Sequence, residues 1–306
     1  MKLEAIIDKI NEQVQASLYP GASLSVYTEG KWSRYFFGLA DPATGEETED
    51  GLVYDLASVS KVVGVGTLML ELLREKRLTL DVVLFPDAYP HLTLRHYLTH
   101  TTGLDPFIPG RDAMGADELR QALLHLQSRE DQDFHYTDVN FLLMGFYLED
   151  FYGQYLAQVC ENRIFKPWLM SGTSFGPVPY AVPTVQGVPG GTVHDPKARV
   201  LGNHAGSAGI FSTVSDLEIF VGSYLKHPEY EDLVKDYTEA SSKPRSLAWN
   251  LEGDWLDHTG YTGTFAMFSR ERQEAAIFLA NRTYWEDDRA YWIERRNELM
   301  DLIRDL

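Results

Sequence analysis

The sequence predicts an α+β fold in which the two ends of the chain build one antiparallel sheet and the middle forms a mainly helical insertion. Strand patterns occur near both ends, whereas apolar residues recur at helical spacing through the middle. A helix is also predicted at each end, where it would flank the sheet. We therefore divide the 306 residues into a discontinuous sheet domain, 1–56 and 200–306, and a mainly helical domain, 57–199. The natural pocket is the cleft at their junction.

The N-terminal part of the chain predicts a helix followed by a hairpin. Residues 3–17 carry apolar side chains at helical spacing. Residues 21–27 and 32–38 are apolar or alternating segments on either side of a Glu-Gly turn, which is typical of paired strands. A short helix is expected over 93–100, with Thr93 as a possible N-cap.

The middle of the chain predicts helices and one long loop. Leucines at helical spacing favour a helix over 115–127, and another fits 153–164. Gly and Pro are dense from 172 to 209, so we expect an ordered loop region there, and long loops are often functional. Asp138 is placed to cap a helix that follows it. Ser215 opens the next predicted helix, because a Glu three residues later gives capping-box spacing.

The C-terminal part returns to strand patterns. Segments 255–259, 264–269 and 275–279 predict strands, and 288–305 predicts a closing helix. These strands would complete the sheet begun by the N-terminal hairpin.

Composition excludes several kinds of partner. The formal net charge of −18 disfavours nucleic acid and anionic membranes, because both would repel the chain. The single cysteine, Cys160, can form neither an intrachain disulfide nor a zinc knuckle. No segment is long and apolar enough to span a bilayer, and the N-terminus lacks the apolar region of a signal peptide. We therefore expect a cytoplasmic protein that has no membrane span and binds no nucleic acid.

Ser58 and Lys61 are the first candidate for chemistry. They stand three residues apart at the start of an apolar segment, so a helix would place them on one face. Serine is a poor nucleophile until a base takes its proton, and a buried amine with a lowered pKa can be that base. The commoner meaning of this spacing is an N-cap serine beside a solvated lysine. The apolar flanks favour a buried Lys61 instead.

Three separated motifs resemble those of a known superfamily. They are Ser-Val-Ser-Lys at 58–61, Tyr-Thr-Asp at 136–138 and His-Thr-Gly at 258–260. Together they resemble the serine β-lactamase and penicillin-binding-protein superfamily, particularly its class C and esterase-like branch. The resemblance covers most of the chain and implies a β-lactamase-like fold with the active site at the domain junction.

The resemblance also implies a role for each residue. Ser58 would be the acylated nucleophile, and Lys61 would accept its proton or tune the network. Tyr136 would be the partner base and then the acid that protonates the leaving group. The backbone N–H groups of Ser58 and Tyr261 would form the oxyanion hole. Lys61 and a charged His258 would lower the pKa of Tyr136 enough for it to act as a base near neutral pH.

Two residues depart from the usual motifs. Many relatives carry Lys where this chain has His258, which resembles esterase-type and cell-wall-amidase-type members and argues against strong β-lactamase or carboxypeptidase activity. Asp138 stands where Asn is usual. Two compatible accounts fit it: an N-cap carboxylate at the start of the following helix, and an anion that keeps Lys61 protonated and leaves Tyr136 as the base. Both accounts remain open at this point.

Further residues are expected to bind substrate. Phe107 and Tyr180 fall in loops that would rim the cleft, and the others belong to the motifs. The full set is Asp138, Thr259, Gly260, Phe107 and Tyr180. We expect no cofactor and no metal, because the His96 and His100 pair has no carboxylate ligand in step with it.

We therefore predict a serine hydrolase that forms an acyl-enzyme on Ser58 and cleaves a small ester, amide or peptide-like substrate. The substrate would be carboxylesterase-like, cell-wall-derived or a D-amino-acid compound. One alternative is a β-lactamase or D-alanyl-D-alanine carboxypeptidase. The other is a non-catalytic penicillin-binding protein.

Overall fold

The strands of the protein come mainly from the two ends of the chain. The computed structural model describes residues 2–129, 131–239 and 241–306. Over these residues the strands are β1 Gly21–Thr28, β2 Lys31–Asp41, β3 Glu46–Glu47, β4 Val53–Asp55, β5 Ser174–Phe175, β6 Ile210–Thr213, β7 Asn250–Glu252, β8 Trp255–Thr259, β9 Phe265–Ser269 and β10 Glu274–Ala280.

The main sheet joins the two chain ends, as the sequence predicted. Among the described residues it has seven strands in the order β3-β2-β1-β10-β9-β8-β7. The central pair is antiparallel, and it places Ala22 of β1 opposite Ala280 of β10. A smaller sheet in the order β4-β6-β5 contains segments that are far apart in the sequence. The antiparallel sheet and the α+β class are confirmed.

Helices cover both faces of the sheet and fill the middle of the chain. In the described part of the chain the α-helices are α1 Lys2–Gln15, α2 Thr67–Arg74, α3 Leu94–Thr99, α4 Ala116–Leu123, α5 Val139–Tyr152, α6 Leu156–Cys160, α7 Pro196–Leu201, α8 Val214–Lys226 and α9 Arg289–Arg304. Shorter 3₁₀ turns are Ala57–Val59, Arg111–Ala113, Gly202–His204 and Pro228–Leu233, and π turns are Val62–Gly66 and Glu161–Phe165.

Strand β10 shows how the sheet is buried on both sides. Successive side chains of a strand point to opposite faces. Phe278 packs in the cluster that holds Ile6 of α1 and Trp292 of α9. Its neighbour Ile277 packs in the larger core, which includes α8 and the helical region. The sheet therefore separates two apolar cores. Each large apolar side chain buried in them stabilises the fold by about 1.5–3 kcal/mol.

The segment after Ser58 is helical but not a single α-helix. A 3₁₀ turn at Ala57–Val59 precedes the π turn Val62–Gly66, which continues into α2. A Cβ at Gly66 would lie 2.9 Å from the carbonyl oxygen of Lys61, so the widened turn needs glycine there. Such π turns inside helices are frequent at functional sites.

Two local predictions differ from the structure. Helix α8 is capped by Thr213, whose side chain accepts from the Asp216 N–H, so the prediction that Ser215 opens this helix is wrong. Strand β5 and helix α7 lie within 172–209, which the sequence indicated as loop. A six-residue helix that begins with proline has too little periodicity to be recognised.

The division of the chain at residues 57 and 200 stays a prediction, as does a cytoplasmic location. Over the described ranges, no helix combines the length and apolarity needed to cross a membrane.

Candidate active site

Ser58 lies in a tight turn directly after β4. Its predecessor Ala57 has a φ of 46°, a left-handed conformation that costs a residue with a Cβ about 1–2 kcal/mol. The buried carboxylate of Asp55 stabilises the turn by accepting from the Ala57 N–H at 2.8 Å. Its other oxygen accepts from the His194 N–H, also at 2.8 Å. The side chain of Ser58 is therefore half-exposed, and the backbone of its turn is held in place by hydrogen bonds.

Lys61 is fully buried and uses all three of its ammonium protons. Its Nζ donates to Ser58 Oγ at 2.9 Å, to Asp138 Oδ1 at 2.7 Å and to the Ser207 carbonyl at 2.9 Å. Burial opposes its charge, but Asp138 and Tyr136 outweigh burial and raise the pKa of Lys61 above its usual value. An ammonium that donates to Ser58 cannot also take the proton of Ser58.

Tyr136 stands beside this lysine, just before α5. Its ring centroid is 5.2 Å from Lys61 Nζ and 6.3 Å from the His258 ring. On its other side the ring packs on His100, with the centroids 4.6 Å apart. Tyr136 is 43% exposed, so solvent and substrate can reach it. The structure thus brings the three separated motifs to one place.

His258 is buried and neutral, which corrects one expectation. Its pKa lies well below the usual value, first because of burial and then because of the cations Lys61 and Arg245. His258 therefore supplies no positive charge beside Tyr136, contrary to the expectation of a charged His258. The Nδ1 atom contacts the carbonyl oxygen of Thr259 at 3.2 Å and acts as the donor, since that oxygen can only accept.

Arg245 supplies a positive charge that the sequence did not reveal. It is 1% exposed, and burial lowers its pKa to about 10, while Tyr136 and Asp257 act in the opposite direction. Its Nη1 donates to the side chain of Asn250. Within the described residues its Nε and Nη2 have no hydrogen-bond partner. No motif marks this arginine, and only its burial beside the site identifies it.

Asp138 holds two lysines. It occupies the N-cap position of α5, but its side chain makes no capping hydrogen bond. Its Oδ1 pairs with Lys61 at 2.7 Å and its Oδ2 with Lys197 at 2.8 Å. Burial raises the pKa of Asp138, but the two lysines outweigh burial and hold it well below the usual range. The carboxylate therefore forms ion pairs with the two lysines and does not cap the helix.

The turn that follows β8 is tied to the turn that carries Ser58. The Thr262 hydroxyl donates to the Asp55 carbonyl at 2.9 Å, and the Thr264 hydroxyl donates to the Leu56 carbonyl at 3.0 Å. A Cβ at Gly260 would lie 2.6 Å from that Leu56 oxygen, so only glycine permits this approach.

Tyr261 projects from this turn and is partly exposed. Its carbonyl accepts from Arg282 Nε at 3.1 Å and Nη2 at 2.6 Å, and its hydroxyl donates to Asp287. These contacts fix the peptide groups of the turn beside the nucleophile. Thr259, at the end of β8, is half-buried.

Phe107 and Tyr180 lie in separate places. Phe107 lines a cavity of about 380 Å³ with Ile108. Tyr180 is 95% exposed and lines a second cavity of about 290 Å³ with Leu52. Ser58 belongs to neither lining, so contact of these two aromatic residues with substrate stays a prediction.

The histidine pair considered as a metal site has other functions. His96 Nδ1 accepts from the Thr93 N–H at 3.0 Å and completes the N-cap of α3, as expected for Thr93. His100 Nδ1 contacts the Asn140 amide at 3.2 Å. In the described ranges no group of three or more His, Cys, Asp or Glu side chains is arranged to hold a metal.

Comparison with known proteins identifies the family of this chain. The β-lactamase family model matches residues 6–300. Two relatives, from Escherichia coli O157:H7 and strain K12, are each 24% identical over 90% of this chain and 81% of theirs. Each is described as a "putative D-alanyl-D-alanine carboxypeptidase".

Solved structures share the fold. A β-lactamase/D-alanine carboxypeptidase from Pseudomonas syringae has a TM-score of 0.75 at 18% identity, covering 97% of this chain and 98% of that one. A class C β-lactamase has a TM-score of 0.75 at 17% identity, covering 98% and 96%. With nearly the whole sequence matched, the chain is a serine hydrolase that belongs to the β-lactamase family.

Proposed function

We propose that the protein hydrolyses an ester or amide bond through an acyl-enzyme on Ser58, with Tyr136 as the base. The observation that supports this most is the state of Lys61. Because its three protons are donated, it orients Ser58 Oγ and provides charge but does not accept a proton. Tyr136, which faces Lys61 and is coupled electrostatically to Arg245, remains as the proton acceptor.

The reaction has two steps in this proposal. Tyr136 takes the proton of Ser58 as Oγ attacks the substrate carbonyl, and it returns that proton to the leaving group. Water then attacks the ester on Ser58 while Tyr136 takes one of its protons, and the bond between the acyl carbon and Oγ breaks as Tyr136 returns that proton to Ser58 Oγ. The N–H groups of Ser58 and Tyr261 are proposed to bind the oxyanion, a contribution of about 3 kcal/mol for each donor. The threonine contacts described above support this pairing, because they fix one turn against the other.

The proposed substrate is a small carboxylic ester, or an amide derived from cell wall or D-amino acids. A neutral, buried His258 supports this choice, because it provides no cation for a free carboxylate at that position. Asp138, Thr259 and Gly260 are proposed to line the substrate site beside it.

A D-alanyl-D-alanine carboxypeptidase is the second candidate. The printed description of the Escherichia coli relatives supports it. So does the charge of the site, since Lys61, Lys197 and Arg245 outnumber Asp138 and favour an anionic substrate.

The experiment compares the wild type with Ser58→Ala and with Ser223→Ala, a control on helix α8 away from the site. Each is assayed with p-nitrophenyl butyrate, a chromogenic cephalosporin and a D-alanyl-D-alanine peptide. We expect Ser58→Ala to abolish turnover with an unchanged melting temperature, and Ser223→Ala to retain it. Release of D-alanine in preference to ester cleavage favours the carboxypeptidase. Equal turnover by Ser58→Ala refutes the proposal, and stable penicillin acylation without any turnover indicates a non-catalytic binding protein.

A further inference from the structure

Lys197 is a second lysine on the carboxylate beside the nucleophile. Its Nζ lies 2.8 Å from Asp138 Oδ2, while Lys61 occupies the other oxygen at 2.7 Å. The side chain of Lys197 is 12% exposed, which is low for a lysine. Holding a lysine in one buried geometry costs rotamer entropy, so a position of this kind needs a compensating interaction.

The backbone around Lys197 is fixed to the nucleophile turn. Helix α7 begins after Asp195, whose side chain accepts from the Ala198 N–H at 2.8 Å. Immediately before it, the His194 N–H donates to Asp55, the carboxylate that also holds the turn of Ser58. The segment that carries Lys197 therefore connects the nucleophile turn to the segment of the base.

The second lysine changes the charge of the site. A pair formed by Lys61 and Asp138 alone is neutral, whereas Asp138 with both lysines carries one net positive charge. A positive charge near a phenol favours its ionised form, and an anion disfavours it. Lys197 therefore offsets the negative charge of Asp138, which a neutral Asn would not have and which would disfavour ionisation of the neighbouring Tyr136.

We propose that Lys197 is a positioning residue of the hydrolase site, which binds the outer oxygen of Asp138 and cancels the charge that would oppose loss of the Tyr136 proton. This inference rests on the proposed role of Tyr136 as base. It explains how the chain keeps a carboxylate at Asp138 without weakening that base.

The surroundings of Tyr136 and Asp138 determine what a pH profile will report. The charged or titratable groups that face them are Lys61, Lys197, Arg245, His100 and His258. Both histidines have pKa values well below the usual range, chiefly because of burial, so they stay neutral across the neutral range. A movement of the acidic limb in a Lys197 variant therefore reports the changed charge around Asp138 and not a histidine.

The test measures kcat/KM for p-nitrophenyl butyrate against pH, together with the pH dependence of Ser58 labelling by a fluorophosphonate. The variants are Lys197→Met, the charge-preserving Lys197→Arg, and the control Lys166→Met. Lys166 is an exposed lysine that pairs with Glu161 at 2.8 Å. For Lys197→Met we expect the acidic limb to move up by about one pH unit, with a roughly tenfold loss of kcat/KM below it. Lys197→Arg should restore most of the profile, and Lys166→Met should match the wild type.

Two results would overturn the inference. One is a Lys197→Met profile that superimposes on the wild type. The other is a uniform loss in both Lys197 variants with no movement of the limb, which is the behaviour of a structural ion pair. A wild type that is neither active nor labelled at Ser58 instead contradicts the proposed function, so the two failures are distinguishable.

Discussion

Replacing Tyr136 by Phe separates catalysis from stability. The substitution removes one hydroxyl and keeps the ring, which packs 4.6 Å from His100 and 5.2 Å from Lys61 Nζ. Asp138 still pairs with Lys61 in this variant, so the buried Lys61 ammonium keeps its counterion. Because Tyr136 is 43% exposed, we expect the free energy of unfolding to change by less than about 0.5 kcal/mol.

The rate should respond very differently. General base catalysis contributes about 10²- to 10⁴-fold, which corresponds to about 3–5 kcal/mol in the activation free energy. Lys61 cannot replace the phenol, because its protons are already donated to Ser58, Asp138 and the Ser207 carbonyl. We therefore expect Tyr136→Phe to lower kcat by at least about a hundredfold with little change in KM.

The assay follows hydrolysis of p-nitrophenyl butyrate beside thermal unfolding by circular dichroism. Tyr155→Phe is the matched control, because Tyr155 is also exposed and packs against a histidine ring, that of His204. A folded Tyr136→Phe variant with near-normal kcat would refute the assignment of Tyr136 as base. A fall in melting temperature that accounts for the lost activity would count against the claim that the hydroxyl acts only in catalysis.

Two further predictions concern the frame around Ser58. Thr264→Val deletes the hydrogen bond to the Leu56 carbonyl, so we expect a loss of about 1–2 kcal/mol in the free energy of unfolding and a lower kcat. The control is Thr44→Val, at an exposed threonine. An unchanged kcat would show that this contact does not position the oxyanion hole. Burial raises the pKa of Asp55 from 3.8 to about 6, so the folded state binds this proton more tightly than the unfolded state does. The free energy of unfolding should therefore fall by about 3 kcal/mol as the pH rises from about 4 to about 6. Asp55→Asn cannot titrate, so the variant's stability relative to the wild type should increase over that interval in urea denaturation, and a constant difference would contradict the raised pKa.

Local patterns in the sequence predict much of the fold. The hairpin of β1 and β2 and the strands β8 to β10 show apolar or alternating residues between turn signals, and each was recovered close to its observed limits. Thr93 caps α3 as expected. Ser215 was misplaced as a cap because its spacing to Glu218 is right, yet Thr213, the last residue of β6, caps the helix that begins at Val214. The side chain of Glu218 instead pairs with Arg34 at 2.6 Å.

The site was predictable only in part. Ser58 and Lys61 are neighbours in sequence, so their spacing alone suggests contact, and the structure places them 2.9 Å apart. Tyr136 and His258 required the resemblance to a known family. Arg245 and Lys197 were missed because their function depends on burial and on pairing across long sequence separations, for which no local pattern exists.

The charge on His258 illustrates the same limit. An unperturbed histidine is largely neutral at pH 7, and the expected role beside Tyr136 required a charged His258. Its burial and the two adjacent cations, Lys61 and Arg245, are properties of the folded chain, and both act to keep it neutral.

The central claim is that Ser58 is the residue that becomes acylated. Treatment of the folded protein with a fluorophosphonate, followed by intact mass spectrometry and peptide mapping, tests it most directly. We predict one adduct on the peptide that contains Ser58, no adduct in Ser58→Ala, and markedly slower labelling in Tyr136→Phe. A folded wild type that stays unlabelled, or an adduct on a different residue, would contradict the account.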